Sequence, residues 1–225
     1  MRIFFRLFCL SLLCFSAACK DSRPVYPDAP GNLFIRQQIC DIEDFKKTFL
    51  TPNQKLKDQG FSAYSLHRDL TDPKTYILTL KCANLKRAVE FIQSSNFHTV
   101  CVGAGLGTPV IWCGTDVRER RYGNPAKVTG GIVIANNQVK SFDFWKTCFD
   151  AEGAHHHANR GYEASDYSIH HLSGKPDTVL VVHEASDITK APAFMTNPAM
   201  KGEMEAMGVT SITIWYGINL EERTF

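Results

Sequence analysis

Little in this sequence is biased strongly enough to name a partner. An excess of charge of one sign is missing. Against 25 Lys and Arg stand 23 Asp and Glu, a formal net charge of +2 at pH 7. No strong field is therefore directed at nucleic acid or an anionic membrane, and no nucleic-acid partner is expected. Long apolar runs are missing after the first twenty residues, which excludes a polytopic membrane protein. At 44% hydrophobic and 21% charged residues the composition is neither disordered nor fibrous. Compact catalytic signatures are missing too: G-x-S-x-G, H-E-x-x-H and the P-loop pattern do not occur. Nor does C-x-x-C spacing, which argues against a zinc site or a thioredoxin-like motif. No cofactor is identified from these patterns.

What is present begins with an address. Residues 1–18 read MRIFFRLFCLSLLCFSAA: a start made positive by Arg2 and Arg6, an apolar core from Leu7 to Phe15, and a small-residue exit. That is the layout of a secretory signal, with an apolar core too short for a stable transmembrane helix. Cys19 follows at once. The stretch Phe15-Ser16-Ala17-Ala18-Cys19 resembles the lipobox of bacterial lipoproteins, with Ser16 where that family usually has Leu. The resemblance implies acylation of the Cys19 thiol, a bilayer partner and a place in the bacterial cell envelope, and Lys20 resembles the pattern of outer-membrane lipoproteins. The alternative is a plain secretory signal that leaves Cys19 a thiol. Residues 19–31 carry Pro24, Pro27 and Pro30 and read as an extended tether.

The body is one unit written twice. Tyr64-Ser65-Leu66-His67 aligns with Tyr167-Ser168-Ile169-His170 at an offset of 103. Without a gap, Pro73 then falls on Pro176, Thr75 on Thr178, Ala88 on Ala191, Phe91 on Phe194, Gly105 on Gly208, Ile111-Trp112 on Ile214-Trp215, and Gly114 on Gly217. Each half reads as strand, helix, strand, strand, helix, strand, a ferredoxin-like βαββαβ unit. The expected divisions are 1–18 signal, 19–31 tether, 32–116 first unit, 117–128 linker, 129–220 second unit and 221–225 tail.

These patterns resemble the dimeric α+β barrel superfamily, which includes antibiotic-biosynthesis-monooxygenase-like proteins. The shared features are a helix with Trp or Phe and Lys, a turn with Pro then Thr, Ala-x-x-Phe, and a Gly ending the second helix. The resemblance implies an α+β fold in which two ferredoxin-like units pack sheet to sheet, here as a fused pseudo-dimer. Physics concurs, since a four-stranded sheet covered by helices on one face must bury the other. Within this topology Cys40, after the first strand, and Cys101, late in the second helix, finish at the same end of the sheet and are the disulfide candidate. Cys148, within a helix, is expected to stay a buried thiol.

Strand alternation sends Ser65 and His67, and likewise Ser168 and His170, to the face opposite Tyr64 and Tyr167, toward the lumen. Either the two histidines line one cavity, or each merely satisfies a neighbouring polar group. Trp112 and Trp215 are candidate walls for an apolar ligand. His183-Glu184 carries groups able to act as a base, in the second half alone. In His155-His156-His157, consecutive helical positions point about 100 degrees apart and cannot chelate one metal, so no metal site is assigned. Gly103 to Gly107 follows a helix and precedes a strand, the reverse of a nucleotide loop. Two classes of function remain: an envelope-anchored barrel that binds a small ligand or a protein, or a monooxygenase-like or haem-handling enzyme. Haem would depend on His67 and His170.

Overall fold

The first repeat opens with β1 (Gly31–Gln38). Asp41 then accepts from the backbone N–H groups of Glu43 and Asp44, capping α1 (Ile42–Phe45). A π-helical turn (Lys46–Leu50) and α2 (Asn53–Asp58) follow, and Gly60 at φ 85° ends the helical stretch in a conformation that favours glycine. The chain continues as β2 (Phe61–Asp69), β3 (Thr75–Cys82), α3 (Leu85–Ile92) and β4 (Val110–Arg121). The second repeat gives β5 (Gly131–Val139), α4 (Phe142–Ala151), β6 (Ala164–Leu172) and β7 (Thr178–Ala185). A 3₁₀ turn (Ile188–Lys190), α5 (Ala191–Met195), α6 (Pro198–Ala206) and β8 (Val209–Thr224) complete it. This computed structural model describes residues 26–51, 53–94, 97, 108–121, 130–151, 164–172 and 174–225.

Within each repeat the strands lie in ferredoxin-like order, β4-β1-β3-β2 and β8-β5-β7-β6. The repeats also join edge to edge, β2 with β8 and β4 with β6, all antiparallel, so the two sheets close into one eight-stranded barrel. Closure removes every open strand edge. Helices cover the outer faces. Leu33, Ile35, Leu66, Leu78 and Leu80 pack with Phe45, Leu56, Leu85 and Ile92 over the first repeat. Val179 and Val181 pack with Trp145, Phe149 and Met207 over the second. Each such fully buried side chain contributes on the order of 1.5–3 kcal/mol. The expected fused pseudo-dimer is the architecture found.

Three boundaries differ from the expectation. Residues 117–121 are not linker: β4 runs through them, pairing Arg118 with Ile169 and Arg121 with Asp166. The tail is also strand, with Glu222 opposite Ser65 and Thr224 opposite Ala63. Its end is pinned by the Tyr64 hydroxyl donating to Glu221 at 2.5 Å and by Phe225 against the Tyr64 ring. Finally, Tyr26 to Ala29 is docked rather than extended. The carbonyls of Ala29 and Pro27 accept from Leu85 and Lys86 N–H, satisfying the exposed donors of the first turn of α3, and Asn84 donates to Asp28. Cys40 is exposed and Cys148 half-buried. Cys101 and Cys19 lie outside the described residues, as do His155 to His157 and Gly103 to Gly107. Among the described residues no helix is long and apolar enough to cross a membrane.

Candidate functional site in the barrel lumen

Alternation along each strand decides what enters the lumen. On β1, Leu33 and Ile35 face the helices while Asn32 and Phe34 face inward; on β5, Val133 and Ala135 face out, Ile132 and Ile134 in. The inward apolar side chains form one cluster, Phe34, Ile77, Ile132, Ile134, Leu172, Leu180 and Trp215, with Trp112 and Val182 packed on it. Trp112 and Trp215 stack face to face, with ring centroids 3.4 Å apart and planes 7° from parallel. A contact between repeat-equivalent residues lies on the axis relating the repeats. The two rings therefore plug the lumen together instead of walling an open one.

His67 and His170 both face the lumen, as alternation requires, but they do not share a cavity. His170 is 3% exposed, its ring edge-on to Phe34 at 5.1 Å, and its Nδ1 lies 2.8 Å from Asp116 Oδ1. Asn32 Nδ2 donates to the same oxygen at 2.6 Å. Asp116 Oδ2 takes no hydrogen bond from any described residue. Burial works to raise the Asp116 pKa. The hydrogen bond and charge of His170, the Asn32 donor and the charge of Lys81 outweigh it, holding this carboxyl below its ordinary value.

The ladder partner of His170 is Asp116; that of His67, at the same offset of 103, is Asn219. With the acid replaced by an amide, nothing charged holds His67. Its Nε2 lies 3.0 Å from Ser65 Oγ, while its Nδ1 and the Asn219 Oδ1 are buried without a partner among the described residues. Desolvation pushes the His67 pKa down to about 3, so the ring is neutral at physiological pH. The duplicated histidine thus occupies two unlike surroundings: a charged, hydrogen-bonded one and a sealed neutral one.

Room exists in front of the first. A cavity of about 150 Å³ is lined by Asn32, Ser65, Lys81, Asp116, His170, Glu184 and Glu222, among others, and Asn32, Ser65, Lys81 and Glu222 also border a neighbouring cleft that reaches Arg223. Three carboxylates against one lysine face this chamber. The asymmetry extends to its walls, since Lys81 and Glu184 are repeat-equivalent, as are Thr79 and Val182. His67 stands behind Ser65 and is not a wall. His183 and Glu184 point to opposite faces of β7, with His183 buried under the helices and Glu184 in the chamber, so they do not act as a neighbouring pair. Sequence reading missed Asp116; setting it against its repeat-equivalent Asn219, a charge difference rather than an identity, would have found it.

The chamber beside His170 does not fit haem. The chamber is below the roughly 300–1,000 Å³ of small-molecule pockets. His170 Nδ1 is engaged by Asp116. Among the described residues no cluster of His, Cys, Asp and Glu could hold a metal ion.

Close packing behind His67 makes a direct prediction. A Cβ on Gly217 would lie 2.7 Å from His67 Cβ and 3.2 Å from Ile132 Cγ1. Gly217→Ala is expected to cost about 1–3 kcal/mol through overpacking, read by urea denaturation. A loss below about 0.5 kcal/mol would mean that this half of the lumen is loosely packed.

No protein-family model and no curated protein matches this sequence. Solved structures do. Chlorite dismutase from Candidatus Nitrospira defluvii, in a mutant form, superposes with a TM-score of 0.59 at 10% identity, over 88% of this chain and 94% of that one. A putative monooxygenase from Lactobacillus acidophilus gives 0.56 at 10% identity, over 87% and 96%. An anthrone oxidase-like protein gives 0.56 at 10%, over 90% and 96%. The fold is that of the dimeric α+β barrels. At such identities the likeness is one of fold alone. In this α+β barrel one chain supplies both units, which frees the two halves of the lumen to diverge, as His170–Asp116 and His67–Asn219 have done.

Proposed function

We propose that the barrel is a binding module for a small organic cation, an amine or guanidinium, taken into the chamber beside His170 and Asp116. We further propose that the acylated Cys19 holds it to the cell envelope. The observation that carries the reading is the asymmetry of the duplicated site. One copy keeps a hydrogen-bonded acid facing a cavity, while the other replaces it with an amide and seals it. Carboxylates outnumber lysine on the chamber walls, and Asp116 is held ionised with one oxygen uncommitted, which suits a ligand that donates charged hydrogen bonds. The volume restricts the cationic group to a few heavy atoms.

Calorimetric titration of the protein with a panel of primary amines and guanidines tests this. Asp116→Asn is expected to weaken the tightest binder by at least about tenfold, near 1.4 kcal/mol. His67→Gln is expected to leave its affinity within about twofold. Equal losses in both variants, or no binding by any panel member, would end the reading. Anchoring has its own test: Cys19→Ser is expected to move the protein from the membrane to the soluble fraction, and a wild type already soluble would contradict it.

The likeness to a putative monooxygenase and an anthrone oxidase-like protein favours a second reading, an oxygenase that uses the lumen. The stacked tryptophans fill the centre of the lumen, so that reading requires them to part. Dioxygen uptake linked to loss of the bound compound would replace binding with catalysis.

A further inference from the structure

All four methionines beyond Met1 lie between residues 195 and 207. Met195 ends α5; Met200 and Met204 stand one turn apart on α6. Those three line a single groove of about 410 Å³ between the helices and the first residues of β8, with Thr196, Lys201, Glu205 and Ile212 among the other walls. Met207 lies within the core beside Trp145 and Phe149, and Met204 packs against the edge of that same cluster. Met200 is 4% exposed and lines the groove together with Val209 and Ile212 of β8.

We propose that Met195, Met200 and Met204 form a thioether site for a soft monovalent cation, Cu(I) or its analogue Ag(I). Thioether sulfur is a neutral, polarisable donor that selects Cu(I) over the hard cations preferred by carboxylates and carbonyls. The groove's single carboxylate, Glu205, is 65% exposed and lies 3.9 Å from Lys201 Nζ. It offers little to a divalent cation, and it offsets the one positive charge that would repel a cation. The site lies on the outer face of the barrel, independent of the lumen chamber.

The test uses the mature full chain with its accessible thiols alkylated, so that cysteine does not compete, and with ¹³C-methyl-labelled methionine. One equivalent of Ag(I) is expected to shift the methyl signals of Met195, Met200 and Met204 and to leave Met207 in place. The triple variant M195L/M200L/M204L, which conserves side-chain volume, is expected to keep the fold by circular dichroism and to bind one equivalent fewer. Methyl signals unmoved at several equivalents would overturn the proposal and leave the groove an apolar contact surface. A folded triple variant with unchanged stoichiometry would overturn it as well. If the triple variant does not fold, Met200→Leu alone decides, with at least a tenfold weaker Ag(I) affinity expected and an unchanged one contradicting the site.

Discussion

Replacing Trp215 with alanine is expected to destabilise the protein by about 3–5 kcal/mol, among the largest costs of any single core truncation. Trp215 is 6% exposed and lies at the centre of the lumen cluster, so its loss leaves a cavity that the rigid barrel wall cannot collapse around. The stack on Trp112 adds about 0.5–1.5 kcal/mol beyond area burial. Since both rings occupy one space, the W112A/W215A double variant is expected to cost less than the sum of the single changes. Urea denaturation of the three variants measures this. Strict additivity would show that the two rings do not depend on each other.

Lowering the pH is expected to destabilise the fold steeply through His67. Its folded pKa, near 3, lies well below the ordinary value of 6.5 because the ring is buried without a charged partner. Between those two values the unfolded chain binds a proton that the folded chain refuses. Stability from this group is therefore complete above pH 6.5 and falls as pH drops toward 3, by about 1.4 kcal/mol per pH unit. Asp116 acts in the same direction lower down. Its folded pKa is depressed, so its contribution is present above the ordinary carboxylate range and is lost as pH falls through the folded value. The two are separated by His67→Gln, which removes the dependence between pH 6.5 and 5 and leaves the acid limb. A variant whose stability still falls with wild-type slope from pH 6.5 to 5 would show that His67 is not the group responsible.

The repeat at offset 103 carried most of the architecture, because strand order and helix placement follow once two copies of the same βαββαβ pattern are aligned. It also placed His67 and His170 on the inner face, since alternation is a backbone property. Strand ends were less legible. Arg118 to Arg121 and Glu221 to Arg223 are charged and offer no apolar pattern, yet both are held in ladders by their partners β6 and β2. Backbone pairing along the strand edges defines them, and the register shifts between Leu66 and His67. The prolines near Tyr26 suggested a tether, whereas the carbonyls between them satisfy helix donors that no local pattern reveals. Alternation does not say how far an inward ring reaches, so Trp112 and Trp215 read equally well as walls or as a plug. Their 3.4 Å stack makes them a plug.

The central claim is that duplication left one open, acidic half-site and one sealed one. Backbone and side-chain chemical-shift mapping with the tightest-binding amine tests it most directly. The expected result is a set of shifts at Asn32, Thr79, Lys81, Asp116, His170 and Glu184, with Asn219 unmoved. Shifts centred on His67 and Asn219, or confined to the helix-covered outer face, would contradict it.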